Sequence, residues 1–277
     1  MARQKINKPF AKKSFGQNFL VDQNYINKII SALNPKQKET IIEIGAGRGA
    51  LTEKLIESGA DVLAIELERD MIAVLREEFA GSENFHLIEQ DALKVDFQNL
   101  LETKDKGQKA KLVANLPYYI STAILQKLIE QRDVFSEMIL MFQREVVERI
   151  TAEAGNKERG FLSVIVQAYL ETEKLFDVPP NAFRPAPKVW SSVVRLRPKN
   201  EIGIEDENLF REIVSAGFAQ KRKTILNNLR NVTRNLLEKI EEKGGLNQLL
   251  EKCGINPQSR AENLSLAEWK NLSNILK

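Results

Sequence analysis

The chain has 277 residues, 43% hydrophobic and 29% charged, with a net charge of +3 and no apolar run near the ~20 residues that cross a membrane. That length suits one large domain, or one with a small companion, and allows a sizeable core. A single cysteine, Cys253, excludes an internal disulfide and any multi-cysteine zinc site, so no metal is expected and the cytoplasm is the default compartment.

The N-terminus is basic but has no apolar segment behind it, so it does not read as a secretory signal. Arg3, Lys5, Lys8, Lys12 and Lys13 stand there without an acid. Residues Ser14 to Leu20 form an uncharged loop of aromatics and amides, Ser-Phe-Gly-Gln-Asn-Phe-Leu. Asp22 is a good N-cap for a helix carrying Ile26, Ile29, Ile30 and Leu33 at helical spacing, ended by Asn34-Pro35.

Thr40–Ile44 reads as a buried strand that opens directly into Gly45-Ala46-Gly47-Arg48-Gly49, and a helix with Leu51, Leu55 and Ile56 on one face follows. Strand, glycine turn and helix in that order let a backbone approach a ligand at a helix N-terminus. The spacing is G-x-G-x-G, which is not that of a dinucleotide site. Val62–Ile65 is a second strand ending at Glu66, roughly twenty residues past the glycines, where a carboxylate can accept from ribose hydroxyls. A third strand, Phe85–Ile88, leads to Gln90-Asp91-Ala92, placing Asp91 to accept from an adenine amine. Carboxylates at strand ends are also common helix caps, but three such ends in succession point to an adenosine-bearing ligand.

Lys111–Ala114 is a fourth strand, stopped by Asn115-Leu116-Pro117-Tyr118. An amide acceptor, a rigid proline and an aromatic face suit a flat, amino-bearing ring. A helix over Ile120–Ile129, a strand over Glu137–Phe142, and a helix from Glu145 to Ile150 come next. The polar stretch Thr151–Gly160 is a loop, and Phe161–Leu170 is apolar enough for a buried helix. Strands near Thr172–Phe176 and Ser192–Leu196 flank a proline-rich loop from Val178 to Val189, which presents Phe183 between basic residues. After Pro198 an acidic connection, Glu201–Asn208, leads to short amphipathic helices over Leu209–Phe218, Thr224–Leu229, Val232–Ile240, Leu246–Leu250 and Leu266–Ile275. Two more clusters are free of acids: Arg184, Lys188, Arg195, Arg197 and Lys199, then Lys221-Arg222-Lys223. With the N-terminal arm they form a polyanion footprint on an otherwise near-neutral chain.

Phe15-Gly16-Gln17-Asn18-Phe19-Leu20, the glycine turn, Asn115-Leu116-Pro117-Tyr118-Tyr119-Ile120-Ser121-Thr122 and the Val178-to-Val189 loop together resemble the rRNA adenine N6-dimethyltransferases. Phe218-Ala219-Gln220-Lys221-Arg222-Lys223-Thr224 and Arg260-Ala261-Glu262-Asn263-Leu264-Ser265 are similar to the bacterial small-subunit branch, with Lys221 where an arginine is common. The resemblance implies an α/β fold: a Rossmann-like, S-adenosylmethionine-dependent methyltransferase core over 1–199, mostly parallel and seven-stranded with helices on both faces. It also implies an all-helical, RNA-binding domain over 200–277. Position by position, Asn18 and Leu20 would close over S-adenosylmethionine and Gly45 would line its methionine side. Glu66 would hold the ribose, Asp91 the adenine amine, and Asn115 would border the methyl group. Asn115 and the Leu116 carbonyl would accept from the target amine, with Tyr118 and Phe183 stacking on the target base. The implied activity is dimethylation of two adjacent adenosines in the 3′-terminal hairpin of 16S rRNA, in a small subunit or its precursor, by a monomer. Large-subunit rRNA or DNA adenine as target, and a non-catalytic assembly factor of this fold, are the alternatives.

Overall fold

Five consecutive buried residues, Thr40–Ile44 (β2), form the middle of a sheet covered on both faces, as expected of an uninterrupted apolar strand. We describe the fold from a computed structural model covering residues 17–102 and 108–277. The basic arm of Arg3, Lys5, Lys8, Lys12 and Lys13, and the Ser14-Phe15-Gly16 part of the following loop, lie outside the described residues.

Ahead of β2 come β1 (Phe19–Leu20) and α1 (Gln23–Leu33). The Asp22 carboxylate accepts the Asn24 N–H at 2.9 Å to start α1, and Asn34, left-handed at φ 47°, ends it. After β2 follow α2 (Ala50–Glu57), β3 (Asp61–Glu66), α3 (Arg69–Glu78), β4 (Phe85–Glu89), α4 (Phe97–Glu102) and β5 (Ala110–Asn115). Then come α5 (Ser121–Glu130), β6 (Phe135–Gln143), α6 (Arg144–Ile150), α7 (Phe161–Tyr169), β7 (Leu170–Val178), β8 (Phe183–Arg184) and β9 (Ser191–Pro198). The seven-stranded sheet has the order β4-β3-β2-β5-β6-β9-β7. The pairs among β4, β3, β2, β5 and β6 are parallel and β9 joins β6 antiparallel, so the mostly parallel seven-stranded sheet inferred from the motifs is present. The direction of strand order reverses between β2 and β5. In such sheets the crevice at the carboxyl ends of the two strands flanking the reversal is where ligands bind.

Ile41, Val62, Val113, Ile139 and Met141 pack on one face of the sheet with Ile26, Ile29 and Leu33 of α1 and Leu51 and Leu55 of α2. Their alternating neighbours, Ile42, Leu63, Leu112 and Leu140, are equally buried on the opposite face. A separate two-stranded ladder pairs β1 with β8 antiparallel, Leu20 opposite Phe183 and Phe19 opposite Arg184.

The chain divides into two compact units, the first ending at Val147 and resuming over Glu173–Pro198, the second comprising Glu148–Thr172 and Lys199–Lys277. Glu148–Thr172, placed with the sheet by the expected division near residue 200, groups with the chain from Lys199 onward. The cause is α7, buried at Val164, Ile165, Val166, Ala168 and Tyr169, which packs against α8 (Glu207–Gly217). The Tyr169 ring meets Phe210 edge-on at 6.4 Å. The unit continues through α9 (Ile225–Leu229), α10 (Arg234–Glu242), α11 (Gly245–Lys252) and α12 (Leu266–Leu276). Ser265 and Glu268 form a reciprocal capping box at the start of α12. Trp269, fully buried, stacks on Phe218 at 5.7 Å. The Asn228 amide donates to the carbonyls of Gly217 (2.6 Å) and Gln220 (3.2 Å) and accepts from the Gln220 N–H, pinning the turn that exposes Lys221, Arg222 and Lys223.

Candidate active site

The turns that follow β2, β3, β4 and β5 meet around one cavity of about 370 Å³ at the reversal of strand order. Asn18, Leu20, Gly45, Glu66, Asp91, Asn115 and Pro117 all line it, together with Leu67 and Tyr119. Its wall after β2 is the glycine turn. Gly45 has φ +73°, and a Cβ there would stand 4.0 Å from the Asn115 carbonyl, where β2 and β5 run side by side. Gly47 has φ +54°, and a Cβ would come within 3.2 Å of the Phe19 ring. An L side chain is strained at both positions, and at Gly47 it would also push against β1. The Arg48 guanidinium lies 4.2 Å over the same Phe19 ring, tying the glycine turn to β1.

Glu66 is the best-anchored polar group in the wall. Its Oε2 accepts the Gly47 N–H at 2.9 Å, and Oε1 accepts those of Leu67 (2.9 Å) and Glu68 (3.0 Å). These main-chain donors set the carboxylate before any ligand arrives. Asp91 Oδ1 accepts the Leu93 N–H at 3.0 Å, so this residue closes the turn after β4 as well as holding a place in the cavity wall. Glu43, in β2, also lines the cavity, buried, and accepts the Thr52 hydroxyl at 2.6 Å. Burial, opposed by the Thr52 bond and reinforced by nearby Glu66, pushes its carboxyl up to about 7.

At the end of β5 the Asn115 Nδ2 donates to the Asn18 carbonyl at 3.1 Å. Leu116 is buried beneath the turn. Tyr118 is half-buried, and its hydroxyl shares a hydrogen bond of 2.7 Å with the Ser191 Oγ at the start of β9. Burial holds that phenol above its usual value. It is the next residue, Tyr119, 62% exposed, that forms part of the cavity wall. Phe183 is a correction to the sequence reading. Its side chain is 1% exposed and packs among Leu20, Val178, Ala182 and Val193, so in this structure it offers no face to a base. The β1–β8 ladder explains this, since alternation along a strand turns Phe183 inward and Arg184 outward.

The second basic cluster also divides. Arg195 and Arg197 pair with Glu137 at 3.3 Å each, and Arg195 with Glu173 at 2.7 Å, at the end of the sheet away from the cavity. Arg184 and Lys188 are exposed ahead of β9, toward the cavity's end. Leu67, 53% exposed beside Glu66, and Trp190 were not singled out from sequence, because only the fold exposes these apolar side chains. His86, the single histidine, shares a bond of 2.7 Å with Asp61 between β4 and β3 and is not part of the cavity wall.

Residues 9–277 match the family described as ribosomal RNA adenine dimethylase. The chain is similar to ribosomal RNA small subunit methyltransferase A of Clostridium botulinum (strain Loch Maree / Type A3), 42% identical over 95% of this chain and 93% of that one. The protein of the same name from Bacillus mycoides (strain KBAB4) is also 42% identical, over 96% and 91%. Among solved structures, a dimethyladenosine transferase from Plasmodium falciparum superposes with a TM-score of 0.76 at 28% identity, covering 92% of this chain and 95% of that one. The 23S rRNA methyltransferase ErmE has the same fold, with a TM-score of 0.68 at 23% identity over 94% and 99%.

Proposed function

The chain belongs to the ribosomal RNA adenine dimethylase family, and from that premise we propose that it transfers methyl groups from S-adenosylmethionine to N6 of two adjacent adenosines in the 3′-terminal hairpin of 16S rRNA. The observation that carries this is the cavity at the strand-order reversal, walled by Glu66 and Asp91 on one side and by Asn115 on the other. The small-subunit target is favoured over the large subunit by the 42% identity to small-subunit methyltransferases across nearly the full chain. The helical second unit, with its exposed Lys221-Arg222-Lys223 turn, is read as part of the RNA grip.

The residues present fit S-adenosylmethionine. Glu66, fixed by three main-chain donors, is placed for ribose hydroxyls. Asp91 suits the adenine amine, and exposed Leu67 gives the adenine an apolar surface. The glycine turn leaves room for the methionine part, and Asn18 and Leu20 close that side. When bound, the cofactor supplies a methyl group on a positively charged sulfur.

The chain's own task is to prepare the nitrogen that receives the methyl. An adenine amine is a weak nucleophile because its lone pair is shared with the ring. With Nδ2 of Asn115 committed to the Asn18 carbonyl, Oδ1 is the atom left to accept an N–H of an incoming amine. The Leu116 carbonyl would accept the second. Two acceptors so placed favour a pyramidal nitrogen whose lone pair faces the methyl group. Held in this way, the lone pair would be directed at the methyl group that the cofactor would supply, and one N–H proton would be lost to water. Positioning of this kind is worth roughly 7–11 kcal/mol of the barrier. The nitrogen would be cationic, and so strongly acidic, on receiving the methyl group, and no dedicated base is needed.

The test is to incubate the protein with tritiated S-adenosylmethionine and unmethylated 30S subunits, 50S subunits or DNA. Label confined to small-subunit RNA and recovered as N6,N6-dimethyladenosine is expected. Label in 50S subunits or DNA, or no label, refutes the reading.

A further inference from the structure

Six large apolar residues are exposed among the described residues: Val21, Leu67, Tyr119, Val189, Trp190 and Leu237. Three of them, Val21, Leu67 and Tyr119, line the cavity. Val189 and Trp190 stand just ahead of β9, at the same end of the sheet, because β9 runs antiparallel to β6. Leu237 belongs to α10 in the second unit. Among the described residues of the sheet unit, the exposed large apolar side chains therefore gather at the carboxyl end of the parallel strands, and such exposure marks a binding surface.

Trp190 is 44% exposed, yet its position is fixed. Its carbonyl accepts the Arg144 N–H at 2.9 Å, and the Arg144 guanidinium sits 5.9 Å from the indole centroid. The next residue, Ser191, shares the 2.7 Å hydrogen bond with the Tyr118 hydroxyl. Asn115, Met141 and Val193 lie in one row across β5, β6 and β9. Trp190 and Tyr118 are each three residues beyond that row. The Tyr118–Ser191 bond ties the acceptor turn to the start of β9, two strand spacings or roughly 10 Å aside, and Trp190 is the residue just before it. That places it next to the position proposed for the target adenine, with Arg144 against its ring and Lys188 two residues before it.

We propose that Trp190, backed by Arg144, is a stacking platform for the nucleobase flanking the target adenosine. This rests on the reading of the cavity as an RNA-adenine methylation site. A strand drawn open to extrude one base exposes its neighbour, and an indole covers that face without regard to sequence. Trp190 is a positioning residue: it touches RNA but neither the cofactor nor the reacting nitrogen.

The experiment compares wild type, Trp190→Ala and Trp190→Phe in methylation of unmethylated small subunits, with S-adenosylmethionine binding and RNA-dependent tryptophan fluorescence measured alongside. Trp190→Ala is expected to raise KM for the subunit roughly 5- to 100-fold, from the loss of one stacked base. The affinity for S-adenosylmethionine and the melting temperature should not move, because the side chain is exposed. Trp190→Phe should recover most of the loss. RNA should quench wild-type emission and leave Trp190→Phe unquenched, since the remaining tryptophan, Trp269, is fully buried. A Trp190→Ala protein within twofold of wild type in KM overturns the platform alone, as does undiminished quenching in Trp190→Phe. A wild-type protein that transfers no methyl group to the small subunit overturns both the platform and the function it serves.

Discussion

Replacing Glu43 by Gln should make the protein more stable, and more so as pH rises. Glu43 is buried, accepts the Thr52 hydroxyl, and holds its proton up to about pH 7 in the folded chain against 4.5 as its ordinary value. The folded pKa is the raised one. Below pH 4.5 both states are protonated and the group costs nothing. Between 4.5 and 7 the unfolded chain releases the proton while the folded chain keeps it, so stability falls with rising pH. Above 7 the loss is complete, at about 3 kcal/mol for a shift of this size. Gln keeps the shape and the acceptor for Thr52 but cannot ionise. Glu43→Gln should match wild type near pH 4, exceed it by about 1 kcal/mol at pH 5, and exceed it by about 3 kcal/mol at pH 8.5. Urea melts at intervals from pH 4.5 to 9, with m held constant as the control, read this directly. Curves that run parallel across that range, or a variant that loses ground to wild type above pH 7, would refute the reasoning. Glu43 faces the cavity, where a cationic ligand favours the carboxylate, so the same variant should bind S-adenosylmethionine about tenfold more weakly.

Three further outcomes are expected. Asn115→Ala removes the acceptor for the target amine, so the single-turnover methylation rate should fall roughly 10²- to 10³-fold while calorimetric affinity for S-adenosylmethionine changes little; turnover near wild type would mean Asn115 has another role. Gly47→Ala forces a side chain into φ +54° and against the Phe19 ring, which should cost about 1–2 kcal/mol in a thermal melt and weaken cofactor binding in the same calorimeter. Replacing Lys221, Arg222 and Lys223 together by Ala should flatten the slope of log Kd against log salt for subunit RNA by roughly 2, leaving methylation of saturating substrate intact.

The parallel core was legible because its strands are continuous apolar runs, each closed by glycine, carboxylate or proline at the end that carries chemistry. Glu66, Asp91 and Asn115 were found from that rule and stand around one cavity. What escaped depends on partners distant in sequence. Phe183 among prolines and cations looks exposed until residues 19–20, some 160 positions away, pair with it. Arg195 and Arg197 look like a phosphate grip until Glu137 and Glu173 are found across the sheet. The helix α3 passed without notice because its N-cap is Glu68, not one of the short polar residues that signal a start; its carboxylate accepts from Asp70 and Met71 at 3.3 and 3.1 Å. The place of α7 was hidden for the opposite reason, as a helix apolar on most of its surface does not declare which neighbour will cover it.

The ion pairs at the amino edge of the sheet have a kinetic consequence. Glu137 draws in Lys111 as well as Arg195 and Arg197, with Lys111 also paired to Glu39 at 3.2 Å, so the cations there are largely cancelled by acids. Arg184 and Lys188 remain exposed at the other rim, where their fields reach into solvent over about a Debye length. For a polyanion diffusing up to this unit, the two ends are unequal targets: collisions at the paired edge are short-lived, and those at the open rim are prolonged beside the cavity. Breaking Glu137 would therefore act at a distance, creating a second sticky end that detains RNA where no methyl group can reach it.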